Sequence, residues 1–160
     1  MIEPRIETIS EKKLIGKRLT MSFAHYKIGE LWQSFVPRHK EIANNLTGDL
    51  ISLVIYGPKH FIDFQPTNQF ERWAAVEVAN FESVPAGMET FILQGGLYAV
   101  FAYKGLNTDN SIFQYIFETW LPGSNYTLSN RPHFEVLGDK YQNNDPMSEE
   151  EIWIPIESKH

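Results

Sequence analysis

Residues 111–138 read SIFQYIFETWLPGSNYTLSNRPHFEVLG, and this stretch decides the fold. Ile112, Phe113, Ile116, Phe117, Trp120 and Leu121 recur at i, i+1, i+4, i+5, i+8 and i+9, one apolar stripe on a helical period. Thr108 or Asp109 is placed to cap the start, and Pro122-Gly123 stops the helix. The segment Pro132–Leu137 (PHFEVL) then alternates as a strand should. A one-faced helix followed by a half-buried strand predicts a helix laid against a sheet.

Working outward, a similar stripe appears in the first half at Ile28, Leu31, Trp32, Phe35 and Val36. Pro37 falls inside that pattern, and Ile42 and Ala43 continue its apolar face. A proline there removes a backbone donor, so a kink is expected, or a second short helix. Strands are predicted at Arg5–Ile9, Leu14–Phe23, Leu50–Tyr56 and Trp73–Ala79, the last after a loop rich in Pro, Asn and Gln. Thr90–Gln94 and Leu97–Tyr103 read as a hairpin around Gly95-Gly96. Glu151–Ile156 (EIWIPI) closes the series. Many strands with two helices indicate α+β architecture with a mainly antiparallel sheet.

The order repeats: each half reads strand, helix, strand, strand. Gly57 and Gly138 close the strand after each helix, and Trp73 and Trp153 mark the last strand of each half at nearly the same spacing. The chain is therefore read as one domain over residues 1–160, with pseudo-repeats at roughly 5–80 and 88–157. Such a duplicate joins two half-sheets edge to edge, both helices on one face, and the expected ligand groove lies on the face without helices.

The 160 residues carry 14 Lys+Arg against 20 Asp+Glu, a net charge of −6. That balance argues against duplex nucleic acid, which calls for a basic footprint. There is no cysteine, which excludes disulfides, thiolate catalysis and Cys-based metal sites. The longest apolar run, Leu97 to Tyr103, is far short of the roughly 20 residues of a membrane helix, and the acidic N-terminus is unlike a signal peptide. A cytoplasmic protein with no membrane contact is expected. The five His show no paired ligand spacing, and no GxGxxG, Walker or GxSxG motif occurs, so neither a metal nor a cofactor is expected. The excess is aromatic: 4 Trp, 7 Tyr and 11 Phe.

Strand alternation sorts side chains by face. Ile152, Ile154 and Ile156 suit the helix stripe, which sends Trp153 the other way. Ala74, Val76 and Val78 are core, with Trp73, Ala75 and Glu77 opposite. With Phe134 and Val136 also taken as core, His133, Glu135 and Leu137 share the uncovered face with the two indoles. Ser52, Val54 and Tyr56 are candidates to join them. Aromatic walls around a carboxylate suit a flat, lipophilic, often cationic ligand, through dispersion, cation–π attraction and charge complementarity. The plainer readings are a surface ion pair for Glu77 and a structural hydrogen bond for His133.

The segments ELWQSFVPRHKEI, LYAVFAYKG, IFQYIFETWLPGSNYTL, RPHFEVLGDKY and EEIWIPI together resemble the gyrase-inhibitor-like family, the effector-binding domain of AraC-type and MerR-type bacterial transcription activators. The resemblance spans roughly residues 4–157. It implies a duplicated strand–helix–strand–strand fold with a ligand groove between the halves. It also implies that Glu135, on the strand after the second helix, meets cationic lipophilic compounds, as the corresponding Glu does in drug-sensing relatives, with Leu137 on the same pocket face. The activators carry a DNA-binding module beside this domain. Here the domain runs almost from Met1 to His160, so direct DNA binding is not expected.

The leading expectation is a small-molecule binding protein, a sensor or a sequestering protein. Its ligand-binding residues are Glu135, Leu137, Trp73, Trp153, Tyr56, Tyr103, Glu77 and His133. The resemblance implies two alternatives. One is a hydrolase of cyclopropane-containing DNA-alkylating compounds with Glu135 as its acid or base, and Tyr56 or Tyr103 as donors. The other is a modulator of gyrase through protein contact. A regulator as protein partner and a homodimer stay open.

Overall fold

The computed structural model describes residues 2–159. Nine strands and two main helices form an α+β domain in which every strand pairing is antiparallel. The strands are β1 (Arg5–Ile9), β2 (Lys12–Met21), β3 (Leu50–Tyr56), β4 (Phe70–Val78), β5 (Glu89–Leu93), β6 (Gly96–Lys104), β7 (Tyr126–Leu128), β8 (His133–Leu137) and β9 (Glu149–Ser158). Helix α1 (Ile28–Phe35) follows β2. It passes at Pro37 into a 3-10 segment, Val36–Glu41, as a proline in the first turn of a new element allows.

The second helical segment begins as α2 (Ser111–Tyr115), widens into a π-helical stretch, Ile116–Trp120, and ends in a turn at Leu121–Gly123. Asp109 Oδ1 accepts from the Ser111 N–H at 2.9 Å in a turn that leads into the helix, whose N-cap is Asn110 and has no side-chain capping bond. The π stretch explains the four-residue spacing of Ile112, Ile116 and Trp120. In a regular α-helix such a row drifts round the axis, whereas the wider π turn keeps it in line.

The strand order is β1-β6-β9-β8-β3-β4-β2-β5, with β7 on β9. The order is symmetric about the β3–β8 junction: β3-β4-β2 on one side, β8-β9-β6 on the other. Helix α1 lies on Ile15, Ala74, Val76 and Val78 through Leu31 and Phe35. The α2 segment lies on Ala99, Phe101, Ile152, Ile154 and Ile156 through Ile112 and Ile116. The strand registers put both sets on one face of the sheet.

The sheet curls. In a flat sheet six strand spacings of about 4.8 Å, roughly 29 Å, would separate β5 from β6. Yet only Gln94-Gly95 joins them, a link that reaches about 10 Å. Ser10-Glu11 imposes the same closure between β1 and β2. Gly16, midway along β2, permits the bend: a Cβ there would collide with the Ala74 carbonyl and crowd Ala75. The expected hairpin is therefore corrected. Both strands exist, but β5 pairs with β2 while β6 pairs with β1 and β9.

Closure also fills the face without helices. Leu14 and Leu93 from one end of the sheet meet Tyr98 and Val100 from the other, around Trp73, Phe134 and Trp153. The expected groove on that face is thus corrected: the face is a packed core.

Candidate ligand-binding site

Ser52 stands opposite Glu135 across the β3–β8 junction, and Ile152 opposite Glu135 on β9. Ile152 contacts the α2 segment, so Glu135 points to the helix side. It occupies the seam between the areas that the two helices cover. A cavity of about 30 Å³ lies there, room for about one or two waters. Ser52, Val54, Tyr56 and Arg72 bound it on one side, Phe113 and Phe117 of the α2 segment on another, with His133 and Glu135 at its base.

The Glu135 carboxyl is deeply enclosed, although the residue as a whole keeps some exposure. Burial raises its pKa, and the Arg72 guanidinium acts against that rise. Glu150, on the same face of β9, is pushed up to about 8, first by burial and then by the charge of Glu135. Arg72 extends its Nη1 to donate to Ser52 Oγ at 3.0 Å, while its buried Nε has no acceptor. His133 is buried, and its pKa is lowered to about 3 by burial, by His60 and by Arg72, so this imidazole is neutral at pH 7.

Aromatic rings close the mouth. Phe61 stacks on His133 with 5.6 Å between centroids and 13° between planes, and it meets Phe117 at 5.4 Å. His60 stacks on Tyr56 at 4.0 Å. Both belong to the connection from β3 to β4, residues 57–69, which leaves Phe61 47%, Ile62 87% and Phe64 50% exposed. The connection is held by local turns at Gly57, Lys59 and Gln65 and by the Ala24 N–H bonded to the Pro66 carbonyl at 2.9 Å. Its sequence gave a loop by its Pro, Asn and Gln content; the signal of a lid was His60, Phe61, Ile62 and Phe64 inside it.

Four of the expected residues border the cavity: Glu135, Tyr56, His133 and Trp153. The structure separates the others. Trp73, 3% exposed, faces the opposite side, and Trp153, 7% exposed, borders the cavity while packing with Tyr98 and Phe134 in the core of that opposite side. Each indole Nε1 donates to a glutamate two residues earlier, Trp73 to Glu71 at 2.8 Å and Trp153 to Glu151 at 3.1 Å. Glu77 shares that side and pairs with Lys12 at 3.5 Å. Leu137 is buried opposite Leu50, outside the cavity lining. Tyr103 donates to the Leu106 carbonyl at 2.8 Å and lines a second, open groove of about 440 Å³ with Glu149 and Glu150. The reason is one of sign. Alternation correctly separates Phe134 from Glu135 but does not say which faces the helices, and at the seam no helix covers the strand. Arg72, Phe113 and Phe117 were missed. The signal for Arg72 was the alternation of Phe70, Arg72 and Ala74, which carries β4 three residues upstream of Trp73.

With this geometry, the chain matches the GyrI-like small-molecule-binding domain over residues 2–157, and it belongs to that family. It is 32% identical over 131 residues to the transcriptional regulator BrlR of Pseudomonas aeruginosa. That match takes in 81% of this chain but 46% of BrlR, so the chain spans less than half of that relative's length. In structure it resembles SAV2435 bound to tetraphenylphosphonium, with a TM-score of 0.66, 22% identity and coverage of 97% and 94% of the two chains. The C-terminal domain of EcmrR superimposes with a TM-score of 0.70 at 16% identity, covering 99% of each chain. Among the described residues no helix is long and apolar enough to cross a membrane, and no group of three or more metal-ligating His, Cys, Asp or Glu side chains occurs.

Proposed function

We propose that the protein binds a lipophilic aromatic ligand at the seam between its two halves, with Glu135 as the polar anchor. The carrying observation is an acid without a hydrogen-bonded partner, walled by Tyr56, Phe113, Phe117 and His133. An ionised carboxylate in such surroundings is costly unless a cation or donor meets it. The symmetric strand order supports the duplication of residues 5–80 and 88–157 and explains why the site falls at the junction. SAV2435 holds a lipophilic cation on the same fold, which supports the ligand class.

The ligand enters by displacing the lid at residues 57–69. Drug-sized sites run to roughly 300–1,000 Å³, well beyond the present cavity, and the exposed Phe61 ring is the part that must leave. The role is sensing or sequestration. Titration calorimetry with tetraphenylphosphonium tests the reading: saturable binding is expected, weakened at least about tenfold by Glu135→Gln, as for loss of one charge-assisted contact. No heat and no thermal stabilisation across a panel of lipophilic cations contradicts it.

One observation favours a hydrolytic second reading: burial keeps a proton on Glu135 to higher pH, as a general acid requires. Product release from a cyclopropane substrate, abolished by Glu135→Gln in the folded protein, supports that reading; stoichiometric binding without product rejects it.

A further inference from the structure

The Glu135 cavity holds a second charge. Arg72 and Glu135 stand on β4 and β8, the two strands that flank β3. Arg72 stands opposite Val54 and Glu135 opposite Ser52, so their backbones are two strand spacings and two residues apart, about 12 Å. Ser52, on the strand between theirs, is opposite Glu135, and its Oγ accepts from Arg72 Nη1. Both side chains line the cavity. Among the described residues they form no ion pair with each other, the carboxyl accepts no hydrogen bond, and the buried Arg72 Nε donates none.

An acid and a guanidinium are thus aimed into one apolar chamber without a hydrogen bond or ion pair between them. An unpaired buried N–H is costly, and a guanidinium does not escape by losing its proton. The remaining walls offer Arg72 no anion. Tyr56 and His133 are neutral, and among the described residues Glu135 is the one acid in the lining. A purely cationic ligand satisfies Glu135 but is repelled by Arg72. A ligand with an anionic oxygen on one side and a positive centre on the other satisfies both.

Building on the proposed ligand site, we propose that its ligand is a lipophilic zwitterion, an aromatic body whose cationic part meets Glu135 and whose carboxylate, or a similar oxyanion, takes the free N–H of Arg72. Arg72 then determines specificity, through a planar donor pair suited to carboxylate.

Rhodamine B and its ethyl ester differ in that carboxylate and share the cationic ring system. Fluorescence anisotropy with both dyes tests the assignment. The full-length wild type is expected to bind rhodamine B about tenfold more tightly than the ester, as one charge-assisted contact implies. Arg72→Met is expected to abolish or invert that preference while still binding the ester. The wild-type protein alone gives a second readout: the Arg72 Nε–H NMR resonance shifts downfield with rhodamine B and not with the ester. Equal or tighter binding of the ester overturns the role of Arg72 and leaves the Glu135 site standing. Binding of neither dye to the folded protein overturns that site, and this proposal with it.

Discussion

Ser52 and Glu135 face each other across the junction of the two halves, and Ser52 simultaneously accepts a hydrogen bond from Arg72. One short hydroxyl residue thus separates an acid from a base on a seam that neither helix covers. Ser52→Ala removes the acceptor of Arg72 Nη1 and frees the guanidinium to swing toward Glu135. The expected result is a folded protein with a lower Glu135 pKa, because a closer cation favours the carboxylate. Carboxyl-carbon NMR titration of Glu135 in both proteins checks it, and an unchanged or raised pKa contradicts the arrangement.

The lid gives a kinetic prediction. Phe61 is half exposed and holds its place by stacking on His133 and Phe117. Phe61→Ala is expected to cost about 1 kcal/mol of stability, the scale of aromatic pairing beyond area burial. It should also speed ligand association severalfold, because the ring no longer has to leave. Stopped-flow mixing with a fluorescent lipophilic dye measures the rate. Slower association in the variant shows that Phe61 is part of the binding wall and not a gate.

Protonation sets stability in two opposite windows. The Glu150 carboxyl, raised to about 8, binds its proton more tightly folded than unfolded. Its contribution is full below the ordinary carboxylate range and is lost as pH rises toward 8. His133, lowered to about 3, works in reverse: its neutral form favours the fold, so stability rises from about pH 3 to 6.5. The two oppose each other in mild acid; above about pH 6.5 the raised acids Glu150 and Glu135 remain. Wild-type stability is therefore expected to fall between pH 6.5 and 8, with Glu150 contributing at most about 1.4 kcal/mol per pH unit, and Glu150→Gln to fall less steeply there. Urea unfolding across that range decides it; parallel curves for the two proteins contradict the assignment.

The face reversal gives a control. Trp73 is buried on the side away from the helices, bonded to Glu71, which Arg18 holds at 2.8 Å. Trp73→Phe is expected to lower the melting temperature, through lost packing and a lost hydrogen bond, and to leave ligand affinity unchanged. Tyr56→Ala is expected to weaken binding. Calorimetry on both variants tests the contrast, and a binding loss in Trp73→Phe returns the ligand to the indole side.

Most of the secondary structure was legible because it rests on local periodicity. The stripes of Ile112–Leu121 and Ile28–Val36 repeat over more than one turn, and LISLVIY is a short, β-branched apolar run bounded by Gly57-Pro58. What failed depends on distant contacts. Gly95-Gly96 carries turn chemistry that suits a hairpin, and it equally suits a link across a curled sheet. Gly95 sits so close to β1 that a Cβ would come within 2.6 Å of the Ile9 carbonyl. The three residues of β7 are too few to show a period. The site was half legible. Glu135, His133 and Tyr56 follow from alternation and the motif around them. Arg72 shows only in the alternation of Phe70, Arg72 and Ala74, and its meeting with Glu135, like the place of Phe61, depends on the β3–β4 register and on a connection folding back over the seam.

The central claim is a location, so a crystal structure of the rhodamine B complex tests it most directly. The account predicts the dye between β3, β8 and the α2 segment, its ring system against Tyr56, Phe117 and His133, its charges toward Glu135 and Arg72, and Phe61 displaced. A dye bound against Trp73 and Trp153, or in the groove at Glu149 and Glu150 with Phe61 still on His133, contradicts it.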